Sequence, residues 1–358
     1  MDFSILLKKL DYYGFKGVKN LWFSNYLTNR LQYVSVGTFH SKMLPILCGV
    51  PQGSILGPLL FLLYINDMPN CTNFFTLLFA DDTTLQLTSN NTDTLFQLAN
   101  TELTKVNDWF SRNALTLNVK KTKYILFHTP KMAIDLPLPI LKINNSKIDR
   151  IHSNDTDNDS FKFVGMHLDE HLSWSKHVDN LVKKLNFACF TISRIKNILP
   201  LRIRRTLYMT LFQSHLEYGI LAYGAISKKK ANVLFMIQKR CIRNVAGSLY
   251  NAHTDPLFKE LKILKFHDLF EFSCNKFMFK FTNNLLPNSF CSMFQTLSME
   301  NRTNGYITTL VRKKCLESFP SSFLPKVWNK NSLFLKQTNS FTTFKRHLIN
   351  EYLDSYGL

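Results

Sequence analysis

The chain changes its period for good at Trp174, and that change restricts the fold more than any other feature. Before it, short apolar runs alternate with turn residues, as in "LQYVSVG", "FTLLFA", "TTLQLT" and "FKFVGMHL", the period of two that marks strands. After it, Trp174, Val178, Leu181, Leu185, Ala188, Ile192 and Ile195 recur every three or four residues, a long helix that stops before Pro200. Helical patterns then run from Leu201 to Glu217 and from Lys228 to Val245, and the rest up to Leu358 is mostly helical and rich in phenylalanine. The expected fold class is α+β, with a mixed first half and a nearly all-α second half. No internal repeat is present.

Helices also punctuate the first half. Ile5, Leu6 and Leu10 share a face that Gly14 terminates, and a second amphipathic stretch passes through Trp22, Tyr26 and Leu27. In "CGVPQGSILGPLLFLLYINDMP", Ser54 is a plausible N-cap and Pro58 falls in the first turn, where a missing N–H costs little. The unbroken apolar run from Leu59 to Ile65 predicts a helix buried nearly all round, ending near Asn66. A further helix carries Leu95, Leu98, Val106 and Phe110 on one side. "LTLNV" and "KYILF" read as strands, "ILKINNSKI" as a hairpin turning at Asn144-Asn145, and "SNDTDNDS" as a loop.

Composition enters through charge. The 358 residues carry a formal net charge of +19 and a pI of about 9.6, which points first to a polyanionic partner such as nucleic acid. An acidic membrane surface is the rival, but no anchor motif accompanies the charge. The longest apolar run, Ile55 to Ile65, has 11 residues and contains Gly57 and Pro58, whereas a membrane span needs about 20. The opening "MDFSILLKKLDYYG" lacks the basic and apolar regions of a secretory signal, and the seven cysteines form no Cys-x-x-Cys pair. An intracellular protein with reduced thiols, nuclear or cytoplasmic, is expected.

Between the two strands "FTLLFA" and "TTLQLT" stand Asp81 and Asp82, at a two-residue reversal. An Asp-Asp pair in a turn is ordinarily solvated turn chemistry. Here the flanks are apolar, so the turn is expected on a buried hairpin. A loop containing Gln52 and Gly53 opens a buried helix just upstream, and the whole chain is basic. Together these suggest two-metal phosphoryl transfer, in which a pair of divalent ions about 3.5–4 Å apart clamps the attacking and leaving oxygens. Hard ions of the Mg²⁺ type take carboxylate oxygens.

At these residues the chain resembles the reverse transcriptases of non-LTR (LINE-like) retrotransposons. "FADD" is similar to their catalytic Asp-Asp motif and "GVPQGSILGPLLFLLYINDMP" to their next most recognisable block. In order there follow "LTLNVKKTKYILF" (a palm segment), "FKFVGMHLDEHLSWSKHV" (the primer grip and approach to the thumb), and "LYMTLFQSHLEYGILAYG" with "IQKRCIRNVAG" (the thumb and beyond). The resemblance covers about Met1 to Gly247, with a weaker echo at "FLPKVWN". It implies a right-hand polymerase: a lead-in of fingers and palm over 1–50, a palm of antiparallel sheet and packed helices over 51–170, an all-α thumb over 171–248, and a helical region of unknown role over 249–358.

The implied activity is RNA-directed DNA synthesis with two Mg²⁺ ions, an RNA template, a DNA primer and deoxynucleotides as partners. Asp81 and Asp82 are the implied metal ligands and catalytic carboxylates. Gln52 and Gly53 are implied against nucleotide and template, Lys121 near the nucleotide phosphates, and Phe163, Val164 and Gly165 at the primer end. The basic clusters Lys183-Lys184 and Arg202 with Arg204-Arg205 lie in the thumb-like region, as expected for sequence-independent backbone contacts.

The family takes a further essential aspartate from a block reading Asp, then Ala-Phe-Asp, that precedes a stretch like "DFSILLKKLDYYGFKG". The chain begins inside that stretch, so half of the metal site and little polymerase activity are expected of it. Asp2, Asp11 and Asp67 read as solvated or capping residues rather than substitutes. The alternative is a catalytically inactive nucleic-acid-binding remnant or a pseudogene product.

Two other motifs resolve into ordinary structure. "HLDEH", His167 to His171, matches a zinc-protease pattern that requires a helix, yet follows a strand. "DTDND" begins like an EF-hand loop but has Ser160 and Met166 where the glycine and the bidentate glutamate belong.

Overall fold

The computed structural model describes residues 1–51, 53–132, 134, 137–153, 159–290, 293–297, 306–308 and 319–357. The chain divides into two units, one comprising Met1–Tyr124 with Ala133–Arg150, the other Ile125–Met132 with Ile151–Leu358. It is a mixed α+β chain. Among the described residues the strands form seven separate two-stranded pairs instead of a continuous sheet. Each pair whose register is resolved is antiparallel. The strands are two to five residues long and most pair with their sequence neighbour, so local turns dictate the pairing.

In the first unit, α1 (Phe3–Tyr12), α2 (Val18–Leu27), α3 (Leu56–Ile65) and α4 (Thr92–Arg112) surround a core of Leu6, Leu10, Leu27, Leu60, Tyr64, Met68, Phe96, Leu103, Val106 and Trp109. Asp2 caps α1: its carboxylate accepts from the Ile5 N–H at 3.0 Å and the Ser4 hydroxyl at 2.6 Å. Those bonds hold its pKa below the usual carboxylate value, the Ser4 bond contributing most. Asp67 pairs with Lys9 at 2.5 Å.

Helix α3 departs from expectation. Leu60, Tyr64 and Ile65 are buried, but Leu59 and Leu62 face solvent, so an apolar run does not imply burial on every side. Helix α4 is also rotated from its predicted phase. Its inward stripe is Phe96, Ala99, Glu102, Leu103, Val106 and Trp109, while Leu98 is exposed. Glu102 disguised that stripe by placing a carboxylate at a core position. It is satisfied there by Lys105, Thr72 and both the backbone and side-chain amides of Asn73, at 2.6–3.1 Å. These bonds, that of Lys105 foremost, lower its pKa to about 2. "LTLNV" is a turn-rich connection; only Lys123–Ile125 of this region is a strand. The hairpin Lys142–Ile143/Ser146–Lys147 does turn at Asn144-Asn145, both at positive φ (48° and 60°).

The second unit is chiefly helical. Its helices are α5 (Ser175–Ile195), α6 (Leu201–Leu207), α7 (Ser214–Glu217), α8 (Ile220–Tyr223), α9 (Lys228–Ala246), α10 (Asp255–Leu261), α11 (Phe266–Thr282), α12 (Pro320–Asn329), α13 (Leu333–Lys336) and α14 (Phe341–Asp354). A six-residue π-helical stretch, Tyr208–Gln213, joins α6 to α7. The predicted inward face of α5 is recovered as Val178, Leu181, Leu185, Ala188 and Ile192. One core extends from Val178 to Tyr356. Buried Gln238 on α9 organises its centre: its amide donates to the Tyr208 hydroxyl and the Leu264 carbonyl, both at 2.9 Å, and its oxygen accepts from the Phe266 N–H at 2.8 Å, capping α11.

Candidate functional site

The strands Phe75–Phe79 and Asp82–Gln86 form the acidic hairpin, with Phe79 opposite Asp82. The two-residue loop is therefore Ala80-Asp81, one residue earlier than the sequence pattern implies. Ala80 takes φ 51°, the left-handed region at the first loop position, where glycine is usual. For a non-glycine residue that conformation costs about 1–2 kcal/mol. It leaves Asp81 at the tip and Asp82 as the first residue of the returning strand, so successive side chains leave the ribbon in different directions. Both aspartates are exposed. Among the described residues neither carboxylate has a hydrogen-bond or ion-pair partner.

The ribbon is not buried as expected. Phe75, Leu77 and Phe79 alternate along one face and are 62%, 43% and 61% exposed. Thr76 and Leu78, on the other face, are partly covered. The alternation is that of a ribbon covered on one side only.

Elsewhere in the first unit, Gly53 takes φ +80° in an exposed turn, open enough that a side chain there would meet nothing. Ser54 receives the Gly57 N–H at 3.0 Å and donates to the Pro51 carbonyl at 2.8 Å, binding this loop to the start of α3. Gly57 is needed for that approach, since a Cβ would sit 3.0 Å from the Ser54 oxygen and 3.1 Å from the Pro51 carbonyl. Gln52 lies outside the described residues. Lys121 is exposed in a turn that Asn118 closes through its side chain and carbonyl.

In the second unit, Phe161–Phe163 and Met166–Leu168 form a hairpin with Val164-Gly165 as its loop. Both loop residues have positive φ, 44° and 83°. Valine is a severe exception in that region. Tyr218 secures the loop by donating its hydroxyl to the Val164 carbonyl at 2.5 Å. Its ring lies 3.3 Å from where a Cβ on Gly165 would stand. Gly219 completes the seat, because any side chain there would collide with the Met166 sulfur.

The basic residues divide into two groups. Lys183, Lys184 and Arg202 are exposed on α5 and α6. Arg204 and Arg205 are partly buried and bond helix ends: Arg204 donates to the Asn244 carbonyl at 3.3 Å and Arg205 to the Leu261 carbonyl at 2.7 Å. A structural role for these two was not visible in the charge pattern.

Among the described residues, Asp81 and Asp82 belong to no cluster of three metal-ligating side chains. The one such cluster is His128, Glu170 and His171 in the second unit, whose ligand atoms all lie within 4.8 Å of one another. Among the described residues, no helix is long and apolar enough to cross a membrane.

Residues 2–168 match the family described as reverse transcriptase (RNA-dependent DNA polymerase). Over 288 residues the chain is 25% identical to the RNA-directed DNA polymerase from mobile element jockey of Drosophila melanogaster, covering 77% of this chain and 30% of that protein. It is 26% identical over 252 residues to the probable RNA-directed DNA polymerase from transposon BS of the same species, covering 67% and 27%. The jockey polymerase of Drosophila funebris is 23% identical over 328 residues, covering 87% and 33%. The chain thus spans about a third or less of the length of these curated relatives.

Proposed function

We propose, for a chain that matches the reverse transcriptase family over residues 2–168 and is similar to polymerases of mobile elements, that it is the palm and thumb portion of an RNA-directed DNA polymerase of a non-LTR retrotransposon. Residues 51–170 act as palm, 171–248 as thumb, and 1–50 as lead-in from the fingers. The observation that carries this is the acidic hairpin: two exposed carboxylates, without protein partners among the described residues, presented on a two-residue tip in which Ala80 takes a left-handed conformation.

The donor set suits a hard divalent cation, being oxygen-only, exposed and anionic. Asp81 and Asp82 would hold two Mg²⁺ ions, which when bound supply positive charge to the attacking and leaving oxygens of nucleotidyl transfer. In that reaction the primer 3′-oxygen forms a bond to the α-phosphorus of a deoxynucleotide, and pyrophosphate departs. Lys121, an exposed ammonium on a flexible stem, neutralises phosphate charge or donates a proton. Gly53, with Gln52, lets backbone approach nucleotide and template. Phe163, Val164 and Gly165 steady the primer end on a loop that Tyr218 keeps rigid. Lys183, Lys184 and Arg202 contact template–primer phosphates, with Arg204 and Arg205 contributing through the helix ends they hold.

A second reading, a nucleic-acid-binding protein without polymerase activity, draws support from the absence of a third ligand beside Asp81 and Asp82 among the described residues. Primer extension on an RNA template with Mg²⁺ separates the two. Incorporation that falls at least about 10²-fold in Asp81→Ala and Asp82→Ala establishes the polymerase. Salt-sensitive template binding with no incorporation establishes the second reading.

A further inference from the structure

We propose that His128, Glu170 and His171 form a Zn²⁺-binding site that clips the segment following the strand Lys123–Ile125 to the turn following the strand Met166–Leu168. The site is independent of the polymerase reading and lies within the second unit alone.

The two imidazoles have defined tautomers. His128 Nδ1 lies 3.0 Å from the Thr129 carbonyl oxygen, and His171 Nδ1 lies 3.1 Å from the His128 carbonyl oxygen. A carbonyl can only accept, so each Nδ1 carries a proton, and in the neutral ring each Nε2 then presents its lone pair. Those two lone pairs face one carboxylate: His128 Nε2 is 3.6 Å from Glu170 Oε2, and His171 Nε2 is 3.8 Å from Glu170 Oε1. Two ring nitrogens and a buried carboxylate thus converge on one place, a donor set that favours a positive charge between them.

A proton is a poor candidate for that charge. A charge-assisted N–H···O bond closes to about 2.7–2.9 Å, and both separations here are far longer. A cation with ligands at about 2.0–2.1 Å in tetrahedral array holds its donors about 3.3 Å apart. Here the ring nitrogens stand 3.6 and 3.8 Å from the two different oxygens of Glu170, and the three ligand atoms lie within 4.8 Å of one another, a set that small side-chain rotations would close onto such an ion. Two imidazoles with one carboxylate favour a borderline ion of the zinc type over Mg²⁺, which prefers oxygen alone.

The surroundings are built for rigidity. Carbonyl acceptors on the non-ligating nitrogens are the usual outer support of metal-binding histidines. Ser153 donates its N–H to Glu170 Oε1 at 3.0 Å, and His128 donates its own to the Glu170 carbonyl at 3.2 Å. Buried Asp169 shapes the turn by accepting from the His171 N–H at 3.1 Å, the Ser173 N–H at 2.9 Å and the Ser173 hydroxyl at 2.8 Å. Glu170 is buried and the two rings meet edge to face with centroids 4.5 Å apart. The sequence motif "HLDEH" pointed to Glu170 and His171 but paired them with His167. The structure replaces His167 with His128, which is 43 residues from His171 in sequence.

Co²⁺ titration of the metal-free full chain, followed by visible absorption, tests the site. One ion per chain with a low-symmetry ligand-field spectrum is expected, displaced by Zn²⁺ and not by excess Mg²⁺. His128→Ala and Glu170→Gln should each weaken binding at least tenfold, while His167→Ala should not. Failure of the wild-type chain to bind one Co²⁺ would overturn the proposal, as would wild-type affinity in His128→Ala or a tenfold loss in His167→Ala. Because a variant can misfold, carbethoxylation of the wild-type histidines gives a second measurement. Zn²⁺ should protect His128 and His171 and leave His167 reactive; equal reactivity at His128 with and without Zn²⁺ would sink the idea.

Discussion

Tyr218 donates its phenolic hydroxyl to the carbonyl oxygen of Val164 at 2.5 Å, fixing a loop whose two residues both lie at positive φ. The loop Val164-Gly165 has the backbone of a mirror-image hairpin turn, for which Asn-Gly is the preferred pair. Valine there is held by its surroundings against its own preference. Val164→Asn should therefore raise the stability of the second unit by about 1 kcal/mol, and Tyr218→Phe should lower it by about 0.5–1.5 kcal/mol. Urea denaturation of the two variants checks both signs.

Ala80 presents the same tension at the acidic tip. Ala80→Gly should stabilise the first unit by up to about 1 kcal/mol, since glycine adopts φ 51° without a Cβ penalty. The gain comes with a freer tip. Under the proposed function incorporation by Ala80→Gly should fall while template binding is unchanged. A matched pair of denaturation and primer-extension measurements decides this.

Acid should weaken the two units in different pH windows. His177 is buried against Tyr223, its Nε2 has no partner among the described residues, and burial lowers its pKa from 6.5 to about 4. Between those values the unfolded chain binds the proton that the folded chain refuses, so stability falls as pH drops from 6.5 towards 4, by at most about 3 kcal/mol. Glu102 in the first unit is depressed from 4.5 to about 2, so its contribution is intact above 4.5 and is lost below. Denaturation followed at Trp328 should soften before that followed at Trp109. His177→Phe should narrow the earlier window, leaving the smaller part that His167 and His215, also lowered by burial, contribute.

Glu102→Gln should destabilise the first unit at neutral pH by about 2–3 kcal/mol, because the amide weakens charge-assisted bonds and sets an N–H₂ against donors in a buried place. Its denaturation midpoint should also become flatter with pH below 4.5 than that of the parent chain.

The basic residues should separate by assay. Lys183→Ala, Lys184→Ala and Arg202→Ala should leave stability unchanged. Each should make the salt dependence of RNA–DNA binding shallower by about 0.7–0.9 for the phosphate it no longer neutralises. Arg205→Ala should instead lower stability, since it removes a donor to the last carbonyl of α10. Filter binding across a salt series, beside thermal melts, distinguishes the two behaviours.

Much of the fold was legible where a pattern repeats. Helices α5 and α9 each run for about five turns; α5 appears with its predicted face, and both lie near the predicted ends. The Asn144-Asn145 turn and the presence of a hairpin around the aspartates were equally plain. The errors lie where one residue breaks a rule. Ala80 in a glycine conformation moved the acidic turn by one position, and Glu102 in the core concealed the phase of α4. The exposed face of Phe75, Leu77 and Phe79 was unreadable, because apolar composition says which residues favour burial and not what covers them.

By itself the sequence determined the period of the longer helices, the excess of positive charge and the carboxylate pair with the motifs that match the reverse transcriptase family, since each is written within a few neighbouring residues. Only the tertiary structure decided that Arg204 and Arg205 hold helix ends, and that His128 joins Glu170 and His171. Those outcomes depend on groups brought together from distant positions, where each side chain's partner is chosen by packing and by the need to satisfy every buried donor and acceptor, and no local pattern records that choice.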